Sequence, residues 1–134
     1  MKLTFASSAW VDEARRILND LVSAHGEIDR RFSVCERFTS APLDMAPSGN
    51  VAWYFRIDGK SVEVASGEIT DADVEITADY QTTLPIARLV YTPEFLAARR
   101  AAANQSPNAG RKGDMSKAPP YLVELHNRLA LVTA

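Results

Sequence analysis

The stretch VAWYFRIDGKSVEVAS, residues 51–66, decides the fold class. Its first half alternates apolar with polar or small residues, which is the period of a β-strand with one buried face. Asp58-Gly59 then gives a strong two-residue turn signal, because a type I′ turn needs positive φ at both central residues. The alternation resumes with Val62 and Val64 on one side. The stretch therefore predicts a β-hairpin with one apolar face and one polar face.

Two further runs on either side of this hairpin also have strand character. The segment 74–78 alternates in the same way and extends the hairpin into an antiparallel meander. The segment 32–39 also predicts a strand, although Glu36 interrupts its pattern. Residues 40–50 are rich in Pro, Ser and Gly and predict a loop.

A helix precedes the strands. Apolar residues recur there at steps of three and four, namely Trp10, Ala14, Ile17, Leu18, Leu21 and Val22. Ser7 or Ser8 can cap its start, and Gly26 stands where a left-handed residue commonly ends a helix.

Helical spacing returns after the strands. A short apolar stripe of Ile86, Leu89 and Val90 indicates one helix, and Pro85 limits where that helix can begin. Thr92-Pro93-Glu94 begins another helix, 104–113 predicts a loop or short edge strand, and Pro119-Pro120 opens the last helix. One face of that helix carries Leu122, Leu125, Leu129 and Val132. The order predicts an α+β domain with helices on one face of an antiparallel sheet.

Length and composition favour one ordinary globular domain spanning 1–134. Of 134 residues, 46% are hydrophobic and 24% charged, and the net charge of −2 gives no reason to expect nucleic acid as a partner. No apolar run reaches the roughly 20 residues of a membrane span, so we expect no integral membrane association. Cys35 is the single cysteine, and no signal peptide begins the chain. These features predict a cytoplasmic protein.

No familiar catalytic or cofactor motif occurs in the sequence. His25 and His126 lack neighbouring ligands with metal-site spacing, and Asp73 and Glu75 fall on the polar face of a predicted strand. There is no nucleophile elbow, P-loop or dinucleotide fingerprint. We therefore expect no enzyme, no catalytic residue, no metal and no cofactor.

Two segments resemble motifs of the sterol carrier protein 2 (SCP2) domain family. Residues 72–77, ADVEIT, resemble that family's ADVTIT strand, and residues 110–117, GRKGDMSK, resemble its KIKGDM segment. The aromatic strand at 53–55 and the Asp58-Gly59 turn stand in the family's order. The resemblance spans roughly 51–131.

The resemblance implies a five-stranded antiparallel sheet covered by helices, which enclose an apolar cavity for a fatty acid, an acyl thioester or a sterol-like lipid. The last helix would be similar to the family's lid. The expected cavity residues are Trp53, Phe55, Leu89, Phe95, Leu96, Met115, Leu122, Leu125 and Leu129. The basic residues Arg99, Arg100, Arg111 and Lys112 are candidates for contacts to an anionic head group.

The sequence also allows other interpretations. The first is a closed SCP2-like interaction or accessory module that acts through a protein partner or as a homodimer, without bound lipid; a related one presents lipid to a partner enzyme. A cone-shaped fold of the ketosteroid-isomerase type has similar length, but it ends in strands, whereas this chain ends in a predicted helix.

Overall fold

The computed structural model describes residues 2–98, 111–113 and 118–134. Its strands are β1 Arg31–Thr39, β2 Val51–Asp58, β3 Ser61–Ser66, β4 Val74–Asp79 and β5 Arg111–Gly113. Its helices are α1 Ser8–His25, α2 Tyr80–Ala87, α3, described over residues 93–98, and α4 Leu122–Val132.

The sheet is mixed, with the strand order β3-β2-β1-β4-β5. β4 runs parallel to β1, and the other neighbours are antiparallel. Four strands have six to nine residues, and β5 adds three residues to one edge. The α+β class is confirmed, but the expectation of an all-antiparallel sheet is wrong, because β4 runs parallel to β1. The expected meander of residues 51–78 is also wrong, because β4 does not pair with β3.

The connection 67–73 explains the error, because it crosses from β3 to the far side of β1 instead of turning back in a hairpin. Side chains of the sheet hold it at three points. Arg37 donates to the Ile69 carbonyl at 2.9 Å. Arg56 pairs with Asp71 at 3.0 Å, and the Asp73 carboxylate accepts from the Ser33 amide at 2.9 Å. Strand periodicity is the same in parallel and antiparallel pairs, so the pattern of β4 could not predict its partner.

The predicted hairpin exists, but its turn lies one residue later than expected. Asp58 pairs with Ser61, so Gly59 and Lys60 are the two central residues. Of these two residues, only Gly59 has a positive φ, of 63°. A glycine with positive φ at the first central position is typical of a type II′ turn rather than type I′.

Helix α1 agrees with the prediction at its start and differs at its end. The Ser7 hydroxyl accepts from the Trp10 amide at 3.2 Å, as an N-cap does. Gly26, however, is extended at φ −62°, so the expected left-handed cap is wrong. A Cβ at this position would lie 2.5 Å from the carbonyl oxygens of Gly59 and Val22, and this close approach of two backbones requires the glycine.

Helix α2 begins earlier than the sequence indicated. The Asp79 carboxylate caps it by accepting from the Thr82 amide at 2.9 Å, and Pro85 lies inside the helix. The predicted stripe is therefore not buried, since Ile86, Leu89 and Val90 are exposed.

The later elements begin where the sequence placed them. The Thr92 hydroxyl accepts from the Phe95 amide at 3.1 Å at the start of α3. β5 lies within the predicted edge segment, and α4 follows the predicted proline pair. α4 packs against α1 and α2, so the helices cover the apolar face of the sheet. We call this the inner face and the opposite one the outer face.

Candidate functional site

The inner face is built from cross-strand rows of side chains. One row pairs Phe55 of β2 with Val34 of β1 and Val74 of β4. The next row pairs Trp53 with Glu36 and Glu36 with Ile76. Because strand residues alternate between faces, Glu36 shares the inner face with these apolar side chains.

The part of the inner face beneath α1 is fully packed. Trp10 of α1 meets Trp53 edge-on with ring centroids 5.1 Å apart. Phe55, Ile57 and Val64 beside them are also buried, whereas Val62 of β3 keeps part of its surface in solvent. We call this region the sealed half, and its sheet residues are Trp53, Phe55, Ile57 and Val64.

Other apolar residues of the inner layer are only partly buried, although they contact the same core. They lie on β4, on α2 and at the start of α4. We call this set the accessible half, and its members are Ile76, Ala78, Leu84 and Leu122. The apolar layer between sheet and helices thus contains one closed region and one that solvent still reaches.

Helix α4 is part of the core. Leu125, Leu129 and Ala130 are buried. Just beyond the helix, the buried Thr133 hydroxyl accepts from the Trp10 indole at 3.1 Å and donates to the Leu129 carbonyl at 2.6 Å. Leu3 forms a parallel bridge with Thr133, so the two ends of the described chain hold each other.

A second set of contacts ties α4 to the segment before α3. Asn127 accepts from the Tyr91 amide at 2.7 Å. His126 stacks on the Tyr91 ring with centroids 3.6 Å apart, and its Nε2 lies 2.7 Å from the Leu89 carbonyl. If the whole of α4 moved as a lid, these contacts would break and its leucines would leave the core. We therefore expect that entry of a ligand would move an element other than the whole of α4.

Glu36 is the unusual residue of the inner face. It is partly buried, and desolvation of its carboxyl raises the pKa to about 7, while the nearby Trp53 indole lowers it. The Trp53 Nε1 nevertheless has no hydrogen bond of normal geometry to any described residue. The sequence signal was present, since Glu36 follows Val34 and precedes Phe38 at steps of two. The sequence pattern alone indicates only an interruption of the strand at this position.

On the outer face the charged groups neutralise one another. Arg37 pairs with Glu75 at 2.8 Å and also with Glu68. Asp73 accepts from Ser33, as described above. These acids hold the 67–73 connection in place, which is a structural role.

One small cavity lies near the start of α4. His25, Ile57, Pro119 and Tyr121 are among its lining residues. Its volume of about 30 Å³ suits a water molecule and is far too small for a lipid.

The structure brings several predicted cavity residues together in one core. Trp53, Phe55, Leu125 and Leu129 are buried in the same cluster, and Leu122 packs against it. Phe95 and Leu96 are partly buried, whereas Leu89 is exposed. Met115 lies outside the described residues.

The predicted head-group contacts are four basic residues before and within β5. Arg99 and Arg100 lie outside the described residues. Arg111 and Lys112 belong to β5, where they pair in register with Ile76 and Glu75. Their convergence on a head group stays a prediction.

In the described residues, no group of three or more His, Cys, Asp or Glu side chains is arranged to hold a metal ion. Nor does that part of the chain contain a helix with the length and apolar character to cross a membrane.

Comparisons with known proteins identify the fold. No family model matches the sequence, and no curated protein matches it. Among solved structures, sterol carrier protein 2 superposes with a TM-score of 0.61 at 16% identity, over 96% of this chain and 99% of that one. UbiJ-SCP2 ubiquinone synthesis protein reaches a TM-score of 0.49 at 13% identity, over 99% and 100%, too loose a match to add weight. The chain has the SCP2-like fold.

Proposed function

We propose, from its SCP2-like fold, that this chain binds and transfers a hydrophobic ligand between its sheet and its helices without a chemical step. The ligand classes in view are a fatty acid, an acyl thioester and a sterol-like lipid. The observation that carries the proposal is the division of the inner layer into a sealed and an accessible half.

The accessible half has the character of an incomplete core. Ile76 and Ala78 are on the inner face of β4, yet both keep part of their surface in solvent. Leu84 and Leu122 approach from the helical layer and are also partly exposed. Apolar side chains so placed would be further buried by an apolar ligand, which supports binding on this side of the sheet.

The sealed half would serve as a rigid wall for that site. Trp53, Phe55, Leu125 and Leu129 are already fully packed, so a ligand would meet a formed apolar surface. Phe95 and Leu96, which are partly buried, suit positions at the rim. The assignment of Met115 and of the four basic residues to the site belongs to the same proposal.

The expected affinity follows from the area that a lipid would remove from water. Burying about 400 Å² of apolar surface yields on the order of 10 kcal/mol before other terms. Lost translational and rotational freedom cancels roughly half of this, which leaves affinities in the micromolar range. Such binding is compatible with a carrier, which must also release its ligand.

Native mass spectrometry tests the proposal. Purified protein is mixed in turn with palmitate, palmitoyl thioester and cholesterol, and any adduct is extracted and identified. We expect a one-to-one adduct with at least one lipid. Ile76→Asp should weaken it because the change places a charge in the accessible half, whereas Leu131→Asp, on the exposed side of α4, should not.

Thermal unfolding of each variant separates loss of binding from loss of folding. If Ile76→Asp does not fold, Leu122→Asp makes the same comparison from the helical layer. A folded wild-type chain without any adduct would overturn the proposal.

The closed interaction module remains the alternative, and two observations favour it. The cavity beside Tyr121 has a volume of only about 30 Å³. Ile86, Leu89 and Val90 are exposed at the end of α2 and just after it, a place where a protein partner or a second copy could pack. This alternative would be supported if native mass spectrometry showed only the mass of the unliganded protein with all three lipids. A dimer in analytical ultracentrifugation would support it further.

A further inference from the structure

Glu36 occupies a position on the inner face where every cross-strand neighbour is apolar. Trp53 lies beside it on β2 and Ile76 on β4. Along its own strand, the residues two before and two after it are Val34 and Phe38, both buried. A carboxyl in such a row loses hydration and gains nothing from packing, so its presence calls for a polar partner.

Trp53 supplies a second polar group at the same place. Its side chain is 2% exposed, and its Nε1–H makes no hydrogen bond of normal geometry, although the Glu36 carboxyl lies close enough for the indole to lower the pKa of that carboxyl. A buried indole N–H usually finds a partner, because an unpaired buried donor destabilises the folded state. The row thus places a carboxyl and a poorly bonded indole donor side by side, next to Ile76 of the accessible half.

The charged groups of the surrounding elements have other partners. On α4, Arg128 pairs with Glu124 at 2.9 Å, and on α1, Arg15 bonds Asp12 and the Val64 carbonyl. The Tyr80 hydroxyl of α2 donates to the Phe5 carbonyl at 2.6 Å.

Charged groups of the neighbouring strands also have partners or lie further away. On β1, Arg37 pairs with Glu75 of β4 across the outer face. Asp79, at the end of β4, accepts from Thr82. Arg111 of β5 takes the register position beside Ile76, one strand further from Glu36.

We propose that Glu36 and the Trp53 indole N–H form a polar subsite that selects a ligand with a neutral hydroxyl head group over one with a carboxylate. This inference rests on the proposed function and names the ligand class for the same site. A hydroxyl can donate its proton to the Glu36 carboxylate and accept from the Trp53 N–H, so it satisfies both groups at once. A fatty-acid carboxylate would place a second negative charge against the first in an apolar layer.

The titration of Glu36 agrees with this assignment. Because burial raises its pKa to about 7, the carboxyl is both protonated and ionised near neutral pH. A hydroxyl can pair with either form. A carboxylate can pair only with the protonated form, which can donate a proton to it. Discrimination against a fatty acid should therefore grow as pH rises through 7.

Displacement of a fluorescent lipid tests the subsite, with cetyl alcohol and palmitate as probes of equal chain length at pH 6 and pH 8. For the wild-type chain, we expect the preference for the alcohol to increase by about tenfold between these values, the effect of an added like charge. Glu36→Gln, which removes the charge and keeps hydrogen-bonding atoms, should abolish this increase and tighten palmitate binding at pH 8.

Glu63→Gln is the matched control, since Glu63 is an exposed carboxylate that bonds Tyr54 on the outer face. It should behave as the wild type. If both probes bind and Glu36→Gln changes neither the preference nor its pH dependence, the subsite is overturned while the proposed function stands. If neither probe, nor any other lipid, binds the folded wild-type chain, both fail.

Discussion

Glu36 fills a place that a hydrophobic side chain would ordinarily occupy, between Trp53 and Ile76 on the inner face. The free energy of its desolvation is reflected in the raised pKa of its carboxyl. A proton on this residue therefore stabilises the folded state, whether or not a ligand is bound.

The first prediction concerns the free energy of unfolding as a function of pH. An unfolded Glu titrates near 4.3, whereas the pKa of folded Glu36 is about 7. Between these values the folded state binds more protons, so this residue makes stability fall as pH rises from about 4.5 to 7. At pH 8, Glu36→Gln should raise the free energy of unfolding by about 3–4 kcal/mol relative to the wild type, and at pH 4.5 by little.

Urea unfolding of both chains across this pH range measures the difference. Other carboxylates titrate as well, but their effects cancel in the comparison, and Glu63→Gln controls for loss of a surface charge. A difference between Glu36→Gln and wild type that stays constant with pH would contradict the assignment.

Among the elements, α4 has a role that its sequence indicates only in part. The spacing of its leucines correctly predicted an amphipathic helix with Leu125 and Leu129 on one face. The resemblance to SCP2 domains added the expectation of a lid. The buried hydrogen bond between Trp10 and Thr133 joins residues 123 positions apart, which no local pattern can reveal.

The second prediction compares two leucines of α4. Leu129 is 5% exposed and Leu131 is 67% exposed. Leu129→Ala should lower the free energy of unfolding by about 2–5 kcal/mol, because it leaves a cavity in the core. Leu131→Ala, with the same change in side-chain size, should alter it by no more than about 0.5 kcal/mol. Equal effects in urea unfolding would contradict the placement of α4 in the core.

The third prediction tests the edge pairing of β5. Gly113 has a φ of 103°, and a Cβ there would lie 2.0 Å from the Asp73 carbonyl oxygen. Gly67 has a similar φ of 115° but open space around it. Gly113→Ala should therefore destabilise the chain more than Gly67→Ala, which introduces only the backbone strain of roughly 1 kcal/mol.

Amide hydrogen exchange at Val74, the register partner of Gly113, locates the effect. Faster exchange in Gly113→Ala, without the same change in Gly67→Ala, is the expected result. Equal protection in both variants would contradict the tight pairing of β4 with β5.

Sequence periodicity predicted most helices and strands, because the residues that face the core recur with the period of the helix or strand. It could not predict that β4 lies beside β1, since side chains of Arg37, Arg56 and Ser33 hold the 67–73 connection from a distance in sequence. The burial of the candidate site residues was also predictable only in part. The buried aromatic and leucine positions followed from the pattern, whereas the pairing of Glu36 with Trp53 required the strand register.

At the scale of the whole molecule, the SCP2-like fold presents one inner layer with two kinds of surface. The sealed half, with Trp53 and Val64, is packed beneath α1. The accessible half, with Ile76 and Leu84, keeps apolar surface in solvent. We expect a hydrophobic ligand to bind at the accessible half and to contact Glu36.

The most direct test is an amide NMR titration of the isotope-labelled chain with cetyl alcohol. We expect saturable shifts at Ile76, Ala78, Leu84 and Glu36, with little change along β3. Shifts confined to the exposed residues Ile86, Leu89 and Val90 would instead indicate adsorption to the surface. That result, or no shifts with this alcohol or any other lipid, would contradict a ligand site within the fold.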